Sequence, residues 1–475
     1  MHCSLESILE TLKQKKQTLA LGTNLSSKAF ILAKAFFELK KNLLVLCPNQ
    51  DAAHELCLNL DIFCRKTVSS KSILEHFPTW DMSPYSSISS SIKTRLKRIR
   101  VLSSIIDNSE PKIIVTTIDA AFQSTIPKDL FLKYSLSLSA SNKTPLSQPE
   151  LISHLAQIGY YRVDTVEDCG TFSLKGNLLD VFVPQHDFPA RVEFCGNEVE
   201  KIRFFEPSTQ RTLQNSLINS IVVTPAREVL INNQTKSTLR ERIKIHADES
   251  EIPRKIRDPV LLSIQDEIYS DHTDAWAPFA YEKPARFWDY LPDDLYIVWD
   301  EHEQCIMAWE GFLTEQKTLE IEAKNHGLIL PDVSSLYGRP DELSFSKTIL
   351  CFEKLEILNS DFYSNTTQHC ISIQTNLDLT RREKHSFSEQ ENTIRGWLKE
   401  GFKILIVSST QTQLERICFL LKERSLVYQI GDVRDAKANT MNFWGVAHTK
   451  KHLQNDLQLK IGLDYKPLQT CLLKT

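Results

Sequence analysis

Residues 159–213 read GYYRVDTVEDCGTFSLKGNLLDVFVPQHDFPARVEFCGNEVEKIRFFEPSTQRTL, and this stretch decides the fold because strand patterns are densest there. Apolar and polar residues alternate in three runs, centred on Phe172, Val181 and Val192. A period of two is typical of strands that bury one face. Gly176-Asn177 and Gly196-Asn197 separate the runs and tolerate the positive φ of tight turns. The stretch therefore predicts a small antiparallel sheet of hairpins with one face in the core and one face free.

The totals of the chain limit the remaining possibilities. At 475 residues it is too long for one core, so we expect two to four domains. A hydrophobic content of 41% and a charged content of 24% are typical of a globular protein, and the longest apolar runs are too short to span a bilayer. The net charge of −4 gives no global attraction to nucleic acid, so any such contact needs a local basic patch.

The metal and redox signals are weak. Eleven cysteines are scattered without a C-x-x-C pair, which predicts reduced thiols in a cytoplasmic protein. His448 and His452 have the i,i+4 spacing of metal ligands, but no third ligand is evident nearby. We therefore expect no metal site.

The segments that flank this stretch predict an α/β domain. Residues 43–46 and 113–115 are apolar runs suited to strands that are buried on both faces. Helical segments separate such runs, which favours a parallel sheet. Residues 5–19 have the periodicity of an amphipathic helix.

Residues 22–29 read GTNLSSKA and have the frame of a phosphate-binding loop, a glycine followed after five residues by a lysine that precedes a helix. Gly22 and Lys28 fit this frame. Ser27 stands where a second glycine would let the backbone wrap the phosphates, and Ala29 stands where a hydroxyl would hold Mg²⁺. A helix-capping turn is the favoured interpretation.

Residues 295–301 read LYIVWDE, an apolar strand that ends in two acids. Asp300 and Glu301 have the form of a Walker B motif, in which one acid coordinates Mg²⁺ and its neighbour activates water. Because the phosphate loop is degenerate, these carboxylates have no evident nucleotide to serve. We expect them to cap the strand end or to be an inherited remnant.

The motifs of residues 159–213 also resemble those of a known family. A GYYRVDTV segment, a KGNLLDVF segment, an RVEF strand and a closing FFEPSTQRT segment occur in order, and FPTWDMSPY at 77–85 accompanies them. Together they resemble the UvrB-homology domain of the bacterial transcription-repair coupling factor. That domain contacts UvrA, the damage-recognition subunit of the excision nuclease.

The resemblance implies an organisation. We expect a degenerate, helicase-like parallel-sheet domain of the α/β class, formed by residues 1–126 and 228–340. A small α+β hairpin-sheet domain, residues 127–227, would be inserted in it, and a small α/β domain would follow at 341–431. Residues 432–475 match nothing in the family, and we expect them to pack poorly.

The resemblance also implies the binding residues. Lys175 and Arg191 fall on positions where the family has basic residues that pair with UvrA, and Cys195 falls where an aromatic residue is usual. Lys175 replaces an arginine and so loses bidentate geometry, and Cys195 loses a large apolar contact. The amino-terminal half of the family has lost its ATP site, so no cofactor and no catalysis are expected.

The predicted function is that of a non-catalytic adaptor that recruits UvrA in transcription-coupled nucleotide excision repair. We expect the chain to lack the polymerase-binding and translocase domains of the family, and therefore not to bind RNA polymerase. We also expect no membrane partner. A weak contact with the DNA backbone could involve the basic run Lys93, Arg95, Lys97, Arg98 and Arg100, for which a solvated helix face is the favoured alternative. Two other functions stay open: a DNA-dependent ATPase of the UvrB or helicase type, and an inert remnant of a truncated gene.

Overall fold

The structure is a computed structural model. It describes residues 5–14, 18–21, 23–64, 73–86, 88–107, 110–140, 146–196, 198–292, 295–339, 348–353, 369–372, 395–396, 399, 403–407, 411–426, 428–431, 443–446 and 471–473. Its strands are β1 Thr18–Leu21, β2 Asn42–Cys47, β3 Leu74–Phe77, β4 Ile113–Thr117, β5 Leu136–Ser139, β6 Tyr161–Arg162, β7 Thr171–Lys175, β8 Leu178–Val181, β9 Ala190–Cys195, β10 Glu198–Phe205, β11 Thr212–Ile218, β12 Ser220–Val223, β13 Leu295–Asp300, β14 Thr348–Glu353, β15 His369–Ser372, β16 Lys403–Val407, β17 Tyr428–Gly431, β18 Phe443–Val446 and β19 Cys471–Leu473. Its α-helices are α1 Leu5–Lys13, α2 Leu25–Leu39, α3 Gln50–Cys64, α4 Ile92–Ile106, α5 Ile118–Phe122, α6 Lys128–Tyr134, α7 Gln148–Gln157, α8 Lys236–Glu249, α9 Arg254–Gln265, α10 Ala277–Ala280, α11 His302–Asn325, α12 Val333–Leu336 and α13 Gln411–Glu423.

The largest sheet has seven parallel strands in the order β15-β1-β14-β13-β2-β4-β3. Side chains along β2 alternate between two cores, because successive residues of a strand point to opposite faces. Leu44 and Leu46 belong to the core on one face, and Leu43 and Val45 belong to the core on the other. The predicted doubly buried strands are confirmed.

The first helix is shorter than predicted. Helix α1 ends at Lys13, and Thr18–Leu21 is a strand that pairs with β14 on one side and β15 on the other. The prediction of a helix through residue 19 is therefore wrong at its end. The short apolar run fits either structure locally, and pairing with two distant strands decides between them.

Strand β14 lies in a different sheet from the one predicted. The sequence assigns residues 349–352 to the small α/β domain that was expected at 341–431. In the structure β14 lies between β1 and β13, so this strand belongs to the large sheet. An apolar run predicts a strand but carries no information about its neighbours.

A six-stranded sheet, in the order β11-β10-β9-β8-β7-β6, is inserted between α6 and β13. Its inner face packs with α7 in a third core that includes Leu155, Phe172 and Val192. Helix α7 begins with Ser147 in a capping box and Pro149 in the first turn. The α/β fold with an inserted hairpin sheet is thus confirmed.

Two buried side chains join the inserted region to the large-sheet domain. The Arg98 guanidinium on α4 donates to both carboxylate oxygens of Glu228, with Nε–Oε1 at 2.5 Å and Nη2–Oε2 at 3.0 Å. Arg98 also donates to the Pro78 carbonyl and lies over the Phe77 ring. Glu228 lies where the chain leaves the inserted region, so this pair holds the segment that leads back to the large-sheet domain against α4. We refer to Arg98 and Glu228 as the seam pair.

The last described part forms a four-stranded sheet, in the order β17-β18-β16-β19. For the small α/β domain expected at 341–431, the sequence predicts a strand at 404–407 and helices at 388–400 and 411–423. Strand β16 and helix α13 match two of these segments, whereas the helix at 388–400 lies almost wholly outside the described residues. Strands β18 and β19, from the segment expected to match nothing, both pair with β16.

Three further observations concern the described residues alone. None of their helices combines the length and apolar character that crossing a bilayer requires. Eight cysteines are free thiols: Cys47, Cys57, Cys64, Cys169, Cys195, Cys305, Cys351 and Cys418. No cluster of three or more potential metal ligands occurs among these residues, and His448 and His452 lie outside them.

Candidate functional site

The degenerate phosphate loop is occupied by a helix cap. Helix α2 begins at Leu25, and the Asn24 side chain accepts a hydrogen bond from the Ser27 backbone N–H at 2.9 Å. The Ser27 hydroxyl in turn accepts from the Asn24 backbone N–H at 2.9 Å. This is a reciprocal capping box, which satisfies donors that a phosphate would otherwise use. Gly22 lies outside the described residues.

Lys28 lies in a buried cluster with both acids of the predicted Walker B remnant. Its Nζ is 2.6 Å from Asp300 Oδ1 and 2.5 Å from Glu301 Oε1, and all three side chains are at most 5% exposed. Burial lowers the pKa of Lys28, but the charges of Asp300 and Glu301 outweigh it and leave the pKa above its ordinary value. We call these residues the Lys28 cluster.

The backbone at Glu301 is unusual. Its φ of 64° lies in the left-handed region, which glycine favours and other residues rarely adopt. The Glu301 backbone N–H donates to the Phe352 carbonyl on β14 at 2.9 Å, while its side chain reaches Lys28. The strained conformation thus turns the carboxylate into the Lys28 cluster at the start of α11.

The Lys28 cluster does not fit a magnesium nucleotide. Lys28 already faces two carboxylates, Ser27 is used in the cap, and Ala29 is a fully buried methyl group without a hydroxyl. The sequence predicted the loop and the acids separately, and the structure brings them together.

The second candidate site is the outer face of the inserted sheet. Strand pairing places Lys175, Leu178, Glu193 and Lys201 opposite one another across β7 to β10. Ser173, Asp180, Arg191 and Arg203 form the next row on the same face. The face opposite carries Val192 and Phe194 in the third core. We call these two rows, together with Cys195, the outer sheet face.

Arg191 is held firmly within the outer sheet face. Its Nε and Nη2 donate to the two carboxylate oxygens of Asp180, each at 2.8 Å, and its Nη1 donates to the Gln210 carbonyl at 3.2 Å. The guanidinium also lies 4.5 Å from the centroid of the buried Phe205 ring. The hydrogen bonds to Asp180 raise the pKa of Arg191, and burial opposes them. Asp180 faces Arg191 across the strand pair, so the guanidinium that the resemblance implies for UvrA binding already has a carboxylate partner within the sheet.

Lys175 and Cys195 are exposed at the turns that end their strands. Lys175 precedes the β7–β8 turn, in which Gly176 has a φ of 58°. Within the described part of the chain, no carboxylate pairs with Lys175, and no hydrogen bond uses its ammonium group. Lys175 is therefore the predicted binding residue whose charge is available to a partner.

Comparison with known proteins identifies this region. Residues 138–229 match the family model described as the UvrB interaction domain. We refer to the inserted region that this model matches as the UvrB interaction domain. Its sheet, from β6 to β11, and its packing helix α7 lie wholly within the matched residues.

Relatives extend the likeness beyond the UvrB interaction domain. The chain is 24% identical over 360 residues to the transcription-repair-coupling factor of Bacillus subtilis strain 168. This match covers 72% of this chain and 29% of that protein. It is 24% identical over 422 residues to that of Rickettsia bellii, covering 86% and 36%. It thus spans about a third of the length of these relatives, and the likeness is to their UvrB-homology part.

The basic run of α4, which runs beside the UvrB interaction domain, divides into two faces. Arg95 and Arg98 are buried, and pair with Asp274 and Glu228. Lys93, Lys97 and Arg100 are exposed. The expected solvated helix face is therefore confirmed for Lys93, Lys97 and Arg100 and is wrong for Arg95 and Arg98. Leu96, Ile99 and Leu102 show the helical period that turns Arg95 and Arg98 inward, and this signal was missed.

Proposed function

We propose that this chain acts in transcription-coupled nucleotide excision repair as a non-catalytic adaptor that binds UvrA through the outer sheet face. The observation that carries the proposal is a UvrB interaction domain whose outer sheet face presents the unpaired charge of Lys175. The relatives, which are named for coupling transcription to repair, support the same process.

The structure changes which residue we expect to dominate UvrA binding. The charge of Arg191 is already neutralised by Asp180 before any partner binds. We therefore expect Arg191 to offer the partner a fixed, preorganised guanidinium edge. Lys175 keeps its charge for the partner. A charge at the rim of an interface acts mainly on the association rate and the salt dependence of binding.

The adaptor is proposed to be non-catalytic because of the Lys28 cluster. A lysine that contacts phosphates needs a free positive charge, and Lys28 already carries two ion pairs. This arrangement speaks against the alternative of a DNA-dependent ATPase. We propose that the chain uses no nucleotide cofactor.

The test is a salt titration of UvrA binding by the full chain and variants of Lys175. We expect Lys175→Glu to weaken binding about tenfold at low salt, since one rim charge is reversed, with the difference shrinking as salt screens it. Lys175→Arg should bind at least as tightly as the parent chain, because it restores bidentate geometry.

Lys244→Glu is the matched control, since Lys244 is an exposed lysine on α8, outside the UvrB interaction domain. It should leave UvrA binding unchanged. If Lys175→Glu binds UvrA like the parent chain at every salt concentration, the outer sheet face is not the UvrA surface.

A further inference from the structure

A groove of about 1000 Å³ lies between helix α4 and the UvrB interaction domain. One wall comprises the exposed side of α4, and the other comprises β6, the start of β7 and the loop after β8. None of Lys175, Arg191 and Cys195 lines it. The groove is therefore separate from the outer sheet face.

The α4 wall carries a stripe of cations. Lys93, Lys97 and Arg100 are exposed and line the groove at i, i+4 and i+7, which places them on one side of the helix. At a rise of 1.5 Å per residue the stripe is about 10 Å long, which is the axial length of about three nucleotides at 3.4 Å each. The Arg100–Asp187 ion pair, 45% and 76% exposed, is weak enough for a phosphate to displace.

The floor of the groove adds further positive charge. Arg95 and Arg227 both line it, and both pair with the same oxygen of one carboxylate, Asp274 Oδ2, at 2.5 Å and 2.9 Å. The buried Nε of Arg95 has no hydrogen-bond partner among the described residues. Two guanidinium groups therefore share one counter-charge, and the groove lining has a cationic excess although the chain as a whole is acidic.

The sheet wall supplies an aromatic surface next to these charges. Tyr161 on β6 is 44% exposed, and the Arg227 guanidinium lies 5.5 Å from its ring centroid. Ile92, 51% exposed, adds an apolar edge from α4. An exposed aromatic ring beside a row of cations is the combination that binds stacked bases and their backbone.

From this combination we propose that the groove binds a short segment of single-stranded nucleic acid. Lys93, Lys97 and Arg100 contact successive phosphates, and Tyr161 stacks on a base. An acidic peptide would use the cations but would gain nothing from the ring, and a duplex would keep its bases stacked inside. The ring and the stripe together therefore select an unpaired strand.

The test measures binding of a fluorescein-labelled 12-nucleotide oligo-dT to the full chain by fluorescence anisotropy across a salt series. Three phosphate contacts predict a slope of log K against log salt of about −2, at about −0.7 per contact. A 12-base-pair duplex and the mononucleotide dTMP should bind at least tenfold more weakly than the single strand.

Variants separate the two halves of the proposal. Lys93→Ala should reduce the steepness of the slope by about 0.7. Tyr161→Ala should weaken binding of oligo-dT at least fivefold, whereas Tyr161→Phe keeps the ring and should bind like the parent. Lys244→Ala, on an exposed lysine that does not line the groove, is the matched control for Lys93→Ala and should change neither slope nor affinity.

The proposal is overturned if oligo-dT does not bind, if the duplex binds as tightly as the single strand, or if dTMP alone accounts for the affinity. It is also overturned if Tyr161→Ala, shown to be folded by its circular dichroism, binds like the parent, because the groove would then be a general anion surface. UvrA binding by the same variants is measured in parallel, so that failure of one proposal is distinguished from failure of the other.

Discussion

The Lys28 cluster and the Arg191–Asp180 pair use the same chemistry in two different environments. Each sets a cation against carboxylates at hydrogen-bond distance. The side chains of the Lys28 cluster are at most 5% exposed, whereas those of Arg191 and Asp180 are 20% and 13% exposed and lie on an open sheet face.

The difference shows how burial decides what an ion pair can do. In the Lys28 cluster each charge has lost its water, so removal of one partner leaves the others uncompensated. On the outer sheet face solvent screens the pair, and the neighbouring Lys175 remains free to meet a second protein. The first cluster is therefore structural, and the second lies on the face that we propose binds UvrA.

The largest expected effect is on stability, from Lys28→Met. This change leaves Asp300 and Glu301 buried without a counter-charge, and we expect it to lower the free energy of unfolding by about 3–5 kcal/mol. Urea denaturation of the two proteins measures the difference. Equal midpoints and slopes would show that the cluster is not desolvated in solution.

The control for this prediction removes the stranded charges as well. Lys28→Met combined with Asp300→Asn and Glu301→Gln should recover a large part of the lost stability, since no buried charge then remains. If the triple variant is no more stable than Lys28→Met alone, the loss comes from packing of the lysine stem.

A second prediction concerns alkaline pH. The pKa of Lys28 is raised in the folded state above its ordinary value of 10.5. Its contribution is therefore fully present below pH 10.5 and is lost as the pH rises through the folded-state pKa. The difference in unfolding free energy between the parent and Lys28→Met should be constant from pH 7 to about 10 and then shrink. A difference that grows above pH 10.5 would contradict the raised pKa.

The outer sheet face should show a smaller coupling. A double-mutant cycle with Arg191→Ala and Asp180→Ala should give an interaction energy of about 1 kcal/mol in unfolding experiments, since the pair is bidentate but partly exposed. An interaction energy as large as the stability loss expected from Lys28→Met, about 3–5 kcal/mol, would remove the contrast between the two sites.

The smallest effect is expected from nucleotide. Addition of magnesium ATP should leave the UvrA affinity of the chain unchanged, and turnover should not exceed the background rate, because Lys28, Ser27 and Ala29 offer no phosphate or Mg²⁺ site. Phosphate release assays with the parent and Lys28→Ala test this. Turnover that Lys28→Ala abolishes would show that the Lys28 cluster opens to bind nucleotide.

Local patterns predicted much of this molecule. The period of two located β7, β8 and β9 of the UvrB interaction domain, and the apolar runs located β2, β4 and β13. The misfit of Ser27 and Ala29 to a phosphate loop correctly indicated a helix cap. In each case the deciding information lies within a few neighbouring residues.

Information that depends on distant pairing could not be read in the same way. Lys28 and Asp300 are 272 positions apart, and only the order of strands in the large sheet brings them together. Arg98 looked like a surface cation in its basic run because its partner Glu228 is 130 positions away. Asp180 faces Arg191 through strand register, which the turn residues indicate but do not fix.

The seam pair of Arg98 and Glu228 has a consequence for geometry at the scale of an assembly. Both side chains are almost wholly buried, at 0% and 2% exposure, so this ion pair anchors the UvrB interaction domain to the large-sheet domain. A partner that binds the UvrB interaction domain would therefore be held in one orientation relative to the large-sheet domain. The position of that partner would then depend on the orientation of the whole chain. A small change in the geometry of the seam pair would rotate the UvrB interaction domain and displace the bound partner by a larger distance.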